Sequence, residues 1–319
     1  MRSYIKKSHS DLIFLLLQAI LYVAFLFLDL TGRSTAVSAG IKYTMILLCF
    51  CYALFYGSAG KSIVFNMRMV PEGHRSLFNL RLIRKGFRSL LNIRVVHGGY
   101  HSLFLLAGLF FTLVSDLFIL LLDQYFYGVL TFLIVQQFYA LRLLMIREEL
   151  NREENQESTH SQGRYLPFLF LKRLLLQLVI SAMICLGLAG AGVVMEGLLI
   201  ASVLYFICIL TNTASAVRAA SRSRKRYHVT RYHTAHLCAG TDYNNQLYAA
   251  GMLLFLLCDI NVGLFNLSGF IAMPQELYSL VYEISGILMW TFYAPSQVLI
   301  ALSSRGREKL DFVKITENS

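Results

Sequence analysis

Charged side chains are scarce, at 15% of 319 residues, where an ordinary soluble domain carries about 25%. Hydrophobic residues fill 56% of the chain and mean hydropathy is +0.58, which excludes a water-soluble globule. Only four prolines and 21 glycines are present, so the chain is neither proline-rich nor collagen-like, and its apolar content excludes a mostly disordered one. Cysteine is sparse as well. Of Cys49, Cys51, Cys185, Cys208, Cys238 and Cys258, five lie in apolar runs where they act as small hydrophobes, and no disulfide framework is expected. Cys49 and Cys51 stand two apart on an expected helix and point to different faces, so they form no metal pair.

What the chain does have is long apolar segments, near residues 12–28, 40–56, 102–122, 125–146, 169–189, 194–214, 246–265 and 280–303. Each approaches the ~20 residues needed to cross a bilayer. They do not alternate as barrel strands do, and a helix satisfies its own backbone inside lipid. The expected fold is therefore all-α: a polytopic membrane protein with eight transmembrane helices in one bundle, a single domain over residues 1–319. No small-residue cleavage pattern follows the first run, which is expected to be retained.

Basic residues are distributed unevenly between the connecting segments. Counting span edges, 27 of the 29 Lys and Arg fall before the first span, in alternate connections or after the last span, leaving Arg33 and Lys42 for the other side. Asp29, Asp123, Glu196, Glu276 and Glu283 gather with those two. The positive-inside rule then makes both termini and the long basic loops cytoplasmic. The formal net charge of +11 thus reflects topology, and no nucleic-acid module accompanies it. Residues 57–101 form the largest basic loop. Within it Leu77, Leu80, Ile83, Phe87, Leu90 and Leu91 recur at helical spacing among Arg81, Arg84, Lys85 and Arg88, a pattern that suits an interfacial helix on an anionic leaflet or a loop packed over the bundle. The segment 147–163 reads as a solvated helix end and linker. The loop 218–243 reads as solvated and basic, with zinc or phosphate binding as its lesser use.

Two carboxylates interrupt the apolar runs: Asp116 in LAGLFFTLVSDLFILLL and Asp259 in GMLLFLLCDINVGLF. An aspartate at the centre of a span costs about 2.5–3.5 kcal/mol on insertion scales, which makes each a functional candidate. Both belong to the outer half, where an acid can also pair with a neighbouring helix or reach interfacial water. Lys42 begins the second span on that side. Gln136 and Tyr139, three apart, share one helix face, and Tyr293 and Gln297, four apart, share another. These side chains would line a pocket with the acids or, in the plainer reading, snorkel or bridge helices. Pro295 frees a carbonyl in the last span.

These segments resemble the signatures of the lysoplasmalogenase or YhhN-like membrane family, a family of eight-span proteins with paired aspartates. Gly108, Leu109, Phe111, Ser115, Asp116, Phe126, Gly128, Gln136 and Tyr139 follow its first pattern. Gly251, Phe255, Cys258, Asp259 and Asn266 follow the second, and Tyr293, Gln297 and the run Leu299–Ser303 follow the closing one. Lys42 with Tyr43 stands for an early Lys-Pro pair. The chain departs from the family at Ser115 for a usual glycine, Gln136 for a histidine, Cys258 for a serine and Tyr43 for a proline.

The resemblance implies a membrane-embedded hydrolase that cleaves the vinyl-ether bond of lysoplasmalogen-type lysophospholipids, with membrane lipids as its surroundings and the plasma membrane of a bacterium as its location. Asp116 and Asp259 would act as a coupled acid and base, by analogy with the two carboxylates of glycosidases. Lys42 would hold the lipid phosphate, and Gln136, Tyr139, Tyr293 and Gln297 would orient water or glycerol hydroxyls. Phe111, Phe132 and Phe255 would wall the chain. No metal or organic cofactor is expected. Two other classes remain open: a proton- or cation-coupled transporter, and a noncatalytic lipid-binding protein, to which Gln136 in place of histidine lends support. The segments GLFFTLVSD and GMLLFLLCD share a glycine eight residues before the acid, and they fit a duplicated four-span unit whose copies run parallel.

Overall fold

The computed structural model describes residues 2–32, 34–57, 100–155, 166–230, 235–266 and 274–305. The amphipathic stretch 76–96, most of the basic loop 57–101, the linker from residue 156 and the side chains of 225–242, Cys238 among them, lie outside the described residues. Eight helices in this set are long and apolar enough to cross a membrane. They are α1 (Arg2–Thr31), α2 (Thr35–Tyr56), α3 (Tyr100–Asp116), α4 (Tyr125–Asn155), α5 (Leu166–Gly190), α6 (Gly197–Thr230), α7 (Ala235–Asn266) and α8 (Gln275–Leu302). The chain is an integral, multi-pass, all-α membrane protein.

Helix ends depart from the expected spans in ways that the backbone explains. The α4 helix runs past residue 146 into Arg147, Glu148 and Glu149, because an α-helix keeps its internal hydrogen bonds in water as in lipid. The expected sixth span began at 194, but α6 starts at Gly197. A turn precedes it in which Gly192 adopts φ +87°, a conformation that glycine takes without a Cβ penalty. The third span does not end as a plain helix. Leu117–Leu121 wind as a π-helical turn directly after Asp116. Asp123 then takes φ +51°, Gln124 N donates to Phe118 O at 2.8 Å, and α4 begins. Ser115 Oγ donates to Gly128 O at 2.7 Å across this hairpin. A Cβ on Gly128 would stand 2.4 Å from Ile119 Cγ1, so the bare glycine permits the tight return.

Helix neighbours follow a two-fold pattern. The pairs α2–α3, α3–α4, α4–α6, α6–α7, α7–α8 and α8–α2 are in contact and form a ring. The α1 helix rests outside on α2 and α8, as α5 rests outside on α6 and α4. Exchanging α1–α4 with α5–α8 therefore reproduces the neighbour list, as a duplicated unit with parallel copies would. Two close approaches fall where the last helices of the halves face each other. Phe132 meets Tyr293 at 6.4 Å between ring centroids, and Arg142 bonds Ser303, 161 residues later. Phe132 and Tyr293 are separated by that same interval, as are Gln136 and Gln297.

The odd-numbered helices begin at one end, termed here the basic end after the loops that connect there. They finish at the other, the hairpin end. The buried core joins residues of α1, α2, α3, α4, α6, α7 and α8, including Leu105, Val135, Tyr139, Ile209, Met252, Phe255 and Ile300. The outer helices α1 and α5 turn Leu12, Ile13, Leu16, Leu171, Leu175 and Leu176 outward, as helices do when their surroundings are hydrocarbon. Close packing at the centre depends on two glycines in equivalent positions. A Cβ on Gly108 would lie 2.3 Å from the Tyr139 ring, and one on Gly251 would lie 3.0 Å from Ser296 O and 3.1 Å from Ile300 N.

Candidate functional site

Both aspartates point into the bundle and each takes a phenol. Asp116, the last residue of α3 and only 3% exposed, accepts a hydrogen bond on Oδ2 from Tyr293 Oη of α8 at 2.7 Å. Asp259, on α7, accepts one on Oδ2 from Tyr205 Oη of α6 at 2.7 Å. An acid inside a span needs a donor from a neighbouring helix to offset its desolvation, and both acids have one. The two tyrosines share a neighbour. Phe132 lies 5.8 Å from Tyr205 and 6.4 Å from Tyr293, ring centre to ring centre. Phe255 completes the cluster at 5.8 Å from Phe132 and 5.5 Å from Tyr293. Cys258, beside Asp259 in sequence, is within electrostatic reach of both carboxylates. The bundle thus gathers Asp116, Asp259 and Tyr293 around one aromatic floor.

Lys42 reaches the same region by a different route. Its Nζ lies 2.7 Å from Asp29 Oδ2, and Asp29 also accepts a hydrogen bond from Ser38. The ammonium sits 4.8 Å from the Trp290 ring centre and 5.5 Å from that of Phe25. Trp290 in turn packs edge-on against Tyr293 at 5.2 Å. A single indole therefore separates the cation from the tyrosine that holds Asp116. The lysine is already paired with an acid, and its side chain retains 11% exposure against 25% for Asp29.

Gln136 and Gln297 are wholly buried. Asn212 Nδ2 of α6 donates to Gln136 Oε1 at 2.7 Å and to Gln136 O at 2.8 Å, and the Gln136 side chain also approaches the Tyr205 hydroxyl. Its Nε2 makes no hydrogen bond among the described residues. Gln297 Nε2 donates to Ser296 Oγ at 3.3 Å, while its Oε1 has no partner. Tyr139 is the outlier among the expected site residues. Its ring lies over Gly108 and against Tyr248 at 5.9 Å, just under one turn toward the basic end from Gln136, where it packs the core.

Two residues of this neighbourhood, Tyr205 and Asn212, escaped the sequence reading, as did Arg142 and Arg173 nearer the basic end. The arginines had a legible signal, since both fall inside expected spans (125–146 and 169–189) yet were counted with the loops. Tyr205 and Asn212 had none, because a tyrosine or asparagine in a span is common as a helix bridge. No group of three or more His, Cys, Asp or Glu side chains among the described residues is placed to hold a metal ion.

A buried acid fixed by a phenol can release or accept a proton without a large rearrangement, and two such acids on a shared floor can do both in turn. Comparison with curated proteins and with solved structures returns no match. The sequence profile of the YhhN family matches residues 89–304, a stretch that contains both acids, both tyrosines and six of the eight spans. The chain belongs to the YhhN family.

Proposed function

We propose that this protein is a membrane-embedded hydrolase that cleaves the vinyl-ether bond of a lysoplasmalogen-type lysophospholipid, releasing a fatty aldehyde and a glycerophospho-compound. The observation that carries this reading is the pair of tyrosine-bound aspartates on one aromatic floor. Enol-ether hydrolysis begins with proton transfer to the vinyl carbon distal to oxygen. That transfer generates an oxocarbenium ion, which water attacks, and the resulting hemiacetal collapses to aldehyde and alcohol. One carboxyl group supplies the proton. The other, ionised, stabilises the cation and takes a proton from the attacking water, so the pair ends the cycle with the proton it began with. Phe132 and Phe255 offer an apolar wall to the alkenyl chain, and Lys42 offers a cation toward the phosphate.

In this reading both termini and the basic loops face the cytoplasm of a bacterial plasma membrane, and the site opens toward the outer leaflet. The described helices are continuous apart from the π-helical turn after Asp116. The transporter reading therefore lacks the unwound midplane segments that ion-coupled carriers use.

The test is aldehyde release from a lysoplasmalogen by the protein purified in detergent, compared with Asp116→Asn and Asp259→Asn. Loss of turnover in both variants, with melting temperature retained, is the expected result. Undiminished turnover in both removes the mechanism, and a native protein without turnover on any vinyl-ether lysolipid removes the substrate assignment.

A further inference from the structure

A second polar cluster lies toward the basic end of the bundle and takes no part in the chemistry above. Arg142 of α4 is 2% exposed. Its Nη1 donates to Ser303 Oγ at 3.1 Å and its Nη2 to Ser303 O at 3.4 Å. The guanidinium lies 4.0 Å above the Tyr248 ring, and Nε has no partner. Arg173 of α5 donates from Nη2 to Asn212 Oδ1 at 2.6 Å, and its Nε is likewise without a partner. Tyr248 is buried, its hydroxyl is unpartnered, and it stands within electrostatic reach of both guanidinium groups. Among the described residues, every oxygen that these arginines contact is neutral. Among the described residues no carboxylate faces either one.

Arg142 is buried and Arg173 half-buried, and cations withdrawn from water without an acid are costly, a cost that proteins resolve by pairing. The C-terminal end of α8, where Ser303 stands, offsets part of the charge of Arg142 through its helix dipole. Nothing comparable serves Arg173 beyond one amide oxygen. Arginine presents a planar fork of donors that suits phosphate oxygens, and basic pockets between transmembrane helices on the cytoplasmic side take anionic headgroups. The position fits. Arg142 stands 17 residues into α4 from the hairpin end, about 26 Å along the axis, which is near the far boundary of a ~30 Å hydrocarbon core. It is also distinct from the aspartate site, because Tyr248 precedes Asp259 by eleven residues of one helix, about 16 Å. One glycerol backbone does not span that distance.

We infer that Arg142, Arg173 and the Tyr248 hydroxyl form a phosphate-binding site at the basic end of the bundle, separate from the aspartate pair. The ligand is a phosphate oxyanion, carried by an anionic phospholipid headgroup or free in solution.

The experiment is thermal unfolding of the full chain in dodecyl maltoside, titrated in one arm with inorganic phosphate and in another with phosphatidylglycerol, against sodium chloride at equal ionic strength. A saturable rise in Tm of several degrees is expected in at least one arm, since a ligand that binds only the folded state stabilises it. A rise with phosphate assigns the free oxyanion. A rise with phosphatidylglycerol alone assigns the lipid headgroup. Arg173→Gln is expected to weaken the apparent affinity at least tenfold while its unliganded Tm stays level or rises, which a merely structural arginine would not allow. Tyr248→Phe keeps the ring beneath Arg142 and is expected to weaken binding several-fold. The proposal is overturned if neither arm exceeds the chloride control, or if Arg173→Gln and Tyr248→Phe respond as the native chain does. None of these readouts depends on lysolipid turnover.

Discussion

The two halves of the bundle repeat each other in helix order and neighbours, yet they treat their acids differently. Asp116 is almost sealed, stands at the junction with a π-helical turn, and receives its phenol from α8 in the opposite half. Asp259 lies within a continuous α7, is more accessible, and receives its phenol from α6 in its own half. The scaffold is near-symmetric and the site is not. An acid–base pair needs this difference, because two carboxylates in identical surroundings have no reason to divide one proton between them by role. The π-helical turn is the local device that sets the first half apart, and such turns are frequent at functional positions.

Removing either acid is the harshest way to break the comparison. Asp116→Asn and Asp259→Asn are each expected to lower kcat for aldehyde release by about 100-fold or more, the span of a lost general acid or base. A single essential aspartate, with the other dispensable, would reduce the second half to scaffold. The pair also sets the form of the pH profile. The proposed mechanism requires one proton shared between the two groups, so kcat/KM is expected to fall on both sides of an optimum, and replacing either acid should abolish the bell.

The tyrosines sharpen the comparison further. A hydrogen bond to a charged group contributes about 1.5–3 kcal/mol, so Tyr293→Phe is expected to cost roughly tenfold in kcat. Tyr205→Phe should cost less, because Asp259 is less deeply buried than Asp116. Equal losses would mean that burial does not distinguish the two acids.

At the level of packing, the paired glycines probe the scaffold rather than the site. Gly108→Ala drives a methyl into the wedged Tyr139 ring and is expected to destabilise by about 1–3 kcal/mol, as overpacking does. Gly251→Ala meets Ile300 Cγ1 at 2.8 Å and backbone at 3.0–3.1 Å and should fall in the same range. Thermal unfolding in detergent measures both. The smallest effect is expected at Lys42, where Lys42→Gln opens a partly exposed ion pair worth about 0–1 kcal/mol. There KM should rise several-fold with kcat nearly unchanged.

Much of this was legible in advance. Hydropathy alone located the eight spans, and the cost of a charge in lipid singled out Asp116 and Asp259 before any geometry was known. The glycine spacing before each acid foreshadowed the duplicated unit, and Gly108 and Gly251 both lie where a neighbouring helix leaves no room for a Cβ. Tyr139 shares a helix face with Gln136, and its ring packs over Gly108 and against Tyr248. Arg142 and Arg173 were hidden by bookkeeping at span edges. Their meaning depends on partners more than 30 residues away in the chain, Ser303 and Asn212.

By itself, the sequence determined what each segment is. A run of some twenty apolar residues must close its own backbone hydrogen bonds in hydrocarbon, and only composition within the run is needed for that. Tertiary structure alone decided which donor meets which acid: Tyr293 with Asp116, Tyr205 with Asp259, Asp29 with Lys42. Those choices rest on the order of helices around the ring and on the rotation of each about its axis. Both are set by side-chain packing between segments far apart in the chain, which no local pattern encodes.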